Sequence, residues 1–189
     1  MNITVTYKRT RAIRMRVVSN GDLHVSAPIR TPKSEIDRLI SENEEWIKKA
    51  RQKQLAASQK RANFYGQLDL SSQEKRNAAA QKLDAIIHPL LEKHTRQMGV
   101  SPTLITYQPT ISRWGSCNKR TREIRFSLYS LLLPEWCVEH IVVHELAHLI
   151  EANHGPKFHA LMDRYFPLWK EARKTTRELV RHGISAASL

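Results

Sequence analysis

Several things are scarce in this chain. Only two cysteines, Cys117 and Cys137, occur in 189 residues, too few for a disulfide scaffold and not spaced as a CxxC pair. A single bridge is the most they can form. The longest apolar segments are interrupted by His and Glu, so none approaches the roughly 20 residues that span a bilayer. The opening MNITVTYKRTR is charged with no apolar stretch behind it, which does not fit a signal peptide. Together these absences place the protein, as an expectation, in a reducing cytoplasm without a membrane partner. With only six glycines, the chain has no Gly-rich phosphate loop.

Acidic residues are scarce too: 18 against 31 Lys and Arg leave a formal net charge of +13. Such a surface attracts polyanions, which makes nucleic acid a candidate partner, although net charge carries no geometry. A hydrophobic content of 41% with 26% charged residues excludes global disorder. The length suits one core, or one core with a smaller module attached.

Residues 2–28 read as a strand meander. ITVTY, IRMRVV and LHVSAP alternate apolar with polar, and a turn falls at Ser19-Asn20-Gly21-Asp22. Thr31-Pro32 opens a helix on which Ile36, Leu39, Ile40, Ile47 and Ala50 recur at helical spacing. The basic run from Lys48 to Arg61 is either an extension of that helix or a solvated linker. A second helix is predicted over 72–98, with Leu83, Ile86, Ile87, Leu90 and Leu91 on it, a kink at Pro89 and a stop at Gly99. LITYQ (104–108) reads as a strand. Beyond Arg113-Trp114-Gly115-Ser116-Cys117 the turn NKRTR leads into EIRFSLYS, a hairpin pattern. Pro134 opens a long helix, and two more follow at about 156–166 and 167–181. This order predicts an α+β fold, divided into an N-terminal part (1–70) and a second domain (71–189).

The stretch HELAHLIEANHGPKFH (144–159) concentrates four of the nine histidines. His144 and His148, four apart on a predicted helix, share one face and can grip a single ion. Glu145 follows the first, as HExxH requires, beside the metal and within reach of a water bound to it. Chance alone produces HExxH in roughly 3% of comparable chains, but the apolar flank Ile141, Val142, Val143 and Leu149 would bury this helix, and burying idle histidines is costly. A catalytic zinc takes a third protein ligand and keeps a fourth position open. Glu151, His154 and His159 are the candidates. His154 is favoured, because Asn153 and Gly155 turn the chain back and bring it to the metal from another side. His159 is then a packing residue, and Glu151 a hydrogen-bond partner of a ligand histidine or a solvated carboxylate. His140, one turn before His144, is a substrate contact, a partner of the ligands or a buried residue without a task. His24, His88, His94 and His182 read as incidental.

The HExxH helix, the downstream NHG and the upstream SRWGSC together resemble the YgjP-like metal-dependent hydrolase family, related to the SprT and WLM zincin-like metalloproteases. The N-terminal ITVTYKRTRAIRMRVVSNGDLHVSAP, the helix with EEWI and the segment LLLPEW extend the resemblance over nearly the whole chain. It implies a zincin-like catalytic part, a metal-binding helix packed on a small antiparallel sheet, behind an N-terminal β-meander plus helix. It further implies one catalytic Zn2+ held by His144, His148 and His154, with Glu145 as general base and the RWGSC segment walling the cleft. Two departures stand out. His159 occupies a place where the family often has tryptophan, and Ser127 one where asparagine is common.

Arg113 can stabilise a developing oxyanion. Trp114 either floors a substrate pocket or anchors the hairpin, with Gly115 permitting a bulge. Cys117 reads as a small buried thiol. The favoured function is a zinc metallopeptidase in which Glu145 activates a zinc-bound water, with strand 123–128 available to pair with an extended polypeptide substrate. The first alternative is a metal-dependent nucleoside triphosphate (UTP-type) pyrophosphohydrolase with Arg113, Lys119, Arg120, Arg122 and Arg125 around the phosphates. The second is a basic nucleic-acid-binding module whose metal is structural and closed by His159 or Cys117.

Overall fold

The computed structural model describes residues 1–186. The chain divides into two compact units, Met1–Ala62 and the part from Asn63 onward. In the first, the alternating segments form β1 (Ile3–Lys8), β2 (Arg14–Val17) and β3 (Leu23–Pro28). The turn before β3 is closed by Asn20 Oδ1, which accepts the Asp22 N–H at 3.0 Å, and by Gly21 at φ +83°.

These strands do not make the expected meander. Their order is β1-β3-β2, with β1 parallel and β2 antiparallel to β3. Alternation specifies which face a residue takes, not which strand lies beside it. The strand with the most burial takes the centre: Leu23, Val25 and Ala27 of β3 are buried, whereas β1 is exposed along its whole length. Helix α1 (Lys33–Glu42) ends at Asn43, whose side-chain amide donates to the Leu39 carbonyl at 2.8 Å. Helix α2 (Glu44–Gly66) then runs straight through the basic stretch, which is helix and not linker. Ile36 and Ile47 close a small core with Val17, Leu23, Val25 and Ala27.

The second unit begins within the last turn of α2, where Phe64 is fully buried in the larger core. Helix α3 (Gln73–Met98) is capped at its start by Ser72 Oγ, which accepts the Lys75 N–H, and ended by Gly99 in the left-handed region at φ +66°. It stays helical through Pro89. Its stripe Leu83, Ile87, Leu90, Leu91 and Met98 is buried, each side chain contributing roughly 1.5–3 kcal/mol.

Strands β4 (Leu104–Gln108), β5 (Gly115–Asn118) and β6 (Glu123–Ser127) form a sheet of order β4-β6-β5. The predicted hairpin β5–β6 is present, but the sheet is mixed and not antiparallel, since β4 runs parallel to β6. Again the most buried strand sits in the middle, with Ile124 and Phe126 at 0% and 1% exposure.

Helix α4 (Glu135–Ile150) is apolar on nearly every side and packs against α3, β5 and the two helices that follow, α5 (Pro156–Tyr165) and α6 (Trp169–His182). A polar cluster ties it to α3. His94, fully buried and not incidental as its sequence context suggests, lies 2.7 Å from Glu139 Oε1, where Lys93 Nζ also arrives at 2.7 Å. Burial pushes the Glu139 carboxyl up, but Lys93 and His94 hold it below its ordinary value. Among the described residues, no helix is long and apolar enough to cross a membrane.

Candidate metal centre

The burial of α4 decides how its polar residues are used. His144 and His148, one turn apart, bring their ring centroids to 4.9 Å. The helix ends at Glu151, in extended conformation. The turn after it carries His154 back, with its ring 4.9 Å from that of His144 and 4.7 Å from that of His148. One nitrogen from each of the three lies within 4.8 Å of the others, and Nε2 of His154 is 3.1 Å from Nε2 of His144. Two nitrogens bound tetrahedrally to zinc at ~2.0–2.1 Å stand about 3.3 Å apart, so this spacing suits one shared ion.

His148 is also oriented correctly. Its Nδ1 lies 3.2 Å from the Glu151 carbonyl, which can only accept, so Nδ1 carries the proton and Nε2 keeps its lone pair for a metal. Burial lowers the His144 ring to about 3, and neighbouring His148, His140, His154 and Arg173 add to this. Burial lowers His148 likewise, against its bond to Glu151. Both rings are therefore neutral at neutral pH, the form that binds metal. Phe158, at the start of α5, packs its ring against all three imidazoles at 4.7–4.9 Å.

Glu145 is 4% exposed, and its Oε2 has no hydrogen-bond partner among the described residues. Burial raises its carboxyl to about 8, with Arg113 opposing. Gly115 makes room for it: a Cβ there would lie 2.5 Å from Glu145 Oε1 and 2.6 Å from its Cγ. Space, and not a bulge, is what the glycine supplies. Gly115→Ala is therefore expected to push the carboxylate out of position. Any turnover that depends on the carboxylate should fall by about 100-fold in a steady-state assay.

His144, His154 and Glu145 line a cleft of about 780 Å³, together with Arg113, Trp114, His140, His159, Trp169 and Arg173. The loop before β5 presents Arg113. It is held by Ser127 Oγ, which donates to the Thr110 carbonyl at 2.6 Å, and by the Ser127 N–H, which donates to the Trp114 carbonyl at 2.8 Å. Trp114 lines the cleft and packs edge-on against Phe64 at 6.2 Å.

Cys117 and Cys137 are free thiols, and neither belongs to the histidine cluster. His159 lies outside that cluster too, stacked on Trp169 at 5.3 Å with 5° between the planes. Glu151 partners His148 through its carbonyl, while its carboxylate accepts the Asn153 N–H. Strand 123–128 cannot pair with substrate, because β6 is flanked on both sides. The edge strands are β4 and β5, and it is β5 that borders the cleft, through Gly115. Since the Trp114 carbonyl faces β6, the backbone groups of Gly115 and Cys117 point to the open side.

The sequence reading missed Phe158, Trp169 and Arg173. Phe158 was detectable as the apolar residue that opens the α5 stripe. Trp169 and Arg173, one turn apart on α6, gave no local signal.

Among curated proteins, none matches the chain. Two solved structures resemble part of it. The metallopeptidase zymogen abylysin of Pyrococcus abyssi is 21% identical with a TM-score of 0.44, covering 52% of this chain and 97% of its own. The metallopeptidase zymogen jannalysin of Methanocaldococcus jannaschii is 24% identical with a TM-score of 0.41, covering 51% and 95%. The family model described as YgjP-like, metallopeptidase domain, matches residues 11–71 and 66–179. The chain belongs to the YgjP-like family, and residues 66–179, where its histidine cleft lies, fall within the family match.

Proposed function

We propose that this protein is a zinc-dependent metallopeptidase whose ion is held by His144, His148 and His154. The observation that carries this reading is the pairing of three converging imidazoles with a buried carboxyl group, Glu145, one oxygen of which has no hydrogen-bond partner among the described residues. Zinc bound there would polarise a peptide carbonyl and acidify a water. The charge of the bound ion would oppose the burial that raises the Glu145 carboxyl, and the ionised Glu145 then takes the proton from the attacking water and passes it to the leaving amine. Arg113, in the opposite wall, donates to the oxygen on which negative charge develops. An extended substrate pairs with the outward-facing backbone of Gly115 and Cys117.

Two other readings fit the side chains less well. Of the five basic residues that would surround a nucleoside triphosphate, only Arg113 lines the cleft. Lys119 Nζ donates to the Ile150 carbonyl at 2.7 Å and Arg122 to the Ser101 carbonyl at 2.8 Å. A structural metal wants a fourth protein ligand, and neither His159 nor Cys117 joins the triad.

Zinc-loaded protein assayed side by side on denatured casein and on UTP separates these readings. Release of peptides without pyrophosphate supports the metallopeptidase. Pyrophosphate release without proteolysis supports the nucleotide hydrolase, and turnover of neither favours the structural metal.

A further inference from the structure

The cleft has a second polar focus that peptide hydrolysis at the triad does not employ. His140 lies one turn before His144, with ring centroids 5.9 Å apart. It is only 9% exposed, its ring leans on Phe166, and its Nδ1 has no hydrogen-bond partner among the described residues. Beside it, Arg173 reaches into the same cleft from α6. The guanidinium is exposed and has no ion-pair partner among the described residues. Among the described residues, the only carboxyl group lining this cleft is that of Glu145, which is buried against Gly115.

A fixed cation this close to a site for a metal cation is electrostatically unfavourable on its own. An anion bound between them offsets that cost. Arg173 presents a planar fork of N–H donors in the cleft that His140 also lines, and the best complement of that fork is a carboxylate. Phosphate is less suited, because no Gly-rich loop lines the cleft among the described residues.

The geometry points to His140 and Arg173 as a subsite for a substrate carboxylate, one helical turn from the triad. The assignment of that carboxylate to a peptide rests on the metallopeptidase reading. An extended peptide advances about 3.3 Å per residue, so a group some 6 Å from His144 belongs to a residue within one or two of the cleaved bond. It is either an Asp or Glu side chain or the carboxylate at the end of the chain.

The test uses zinc-loaded Glu145→Gln protein, which binds without turnover, and four peptides that differ only in Glu against Gln beside the central bond and in a free against an amidated C-terminus. Calorimetric affinities are expected to favour one carboxylate-bearing peptide over its uncharged twin by about tenfold. The preference falls on the Glu side chain or on the free terminus, according to which carboxylate the subsite reads. Adding Arg173→Gln should abolish the preference, and Arg173→Glu should invert it, while binding of the uncharged peptide stays within about threefold. Equal affinities, no binding of any peptide, or a preference that survives Arg173→Glu would overturn the subsite. Wild-type digestion of the same peptides keeps the two proposals apart. Cleavage without preference sinks the subsite alone, and preferential binding without cleavage sinks the peptidase alone.

Discussion

Glu145→Gln is expected to lower kcat/KM on a peptide substrate by about 10³-fold, within the range that a positioned acid–base group contributes, while the protein still binds one metal ion. Glutamine has nearly the same shape, so it keeps the contact with Gly115 that leaves no room for a larger shift. What it loses is the ability to take a proton. Glu145 is not among the three residues whose ligand atoms cluster, so metal content measured by elemental analysis should equal that of the wild type. Loss of metal with loss of activity would mean that Glu145 is a ligand and that another base must be sought. Full activity would remove the hydrolytic mechanism altogether.

His154→Ala should separate the metal from the fold. His144 and His148 stand on a buried helix, whereas His154 is exposed on the turn beyond it. Its replacement leaves no cavity, and the metal-free melting temperature should stay within about 2 °C of the wild type. Metal affinity, read by competition with a chromophoric chelator, should fall by more than 100-fold. Altering residues that merely orient a ligand already costs about 10- to 100-fold, and here a ligand itself is removed. His159→Ala provides the contrast. Its ring is stacked on Trp169 and lies outside the triad, so it should leave affinity unchanged. If the two variants exchanged behaviour, the third ligand would be His159.

The histidine cluster was readable in the sequence because its constraint is local. A spacing of four on a helix dictates that His144 and His148 share a face, and Asn153 with Gly155 marks the turn that returns His154. Helix boundaries followed from Pro134, Ser72 and Gly99 for the same reason. Strand order was another matter. Both small sheets place their last strand in the middle, an outcome set by which strand buries its face best. His94 was misjudged for a similar reason, since its partner Glu139 lies 45 residues away. Gly115 and Arg173 matter through approach to α4, and tertiary approach leaves no periodic trace.

The most direct test is anomalous diffraction at the zinc edge from crystals of metal-loaded protein. A single peak is predicted about 2.0–2.1 Å from one nitrogen each of His144, His148 and His154, with solvent as the remaining ligand and the Glu145 carboxylate beside it but unbound. A peak closed by a fourth protein ligand, or one that leaves His154 turned away, would contradict the account.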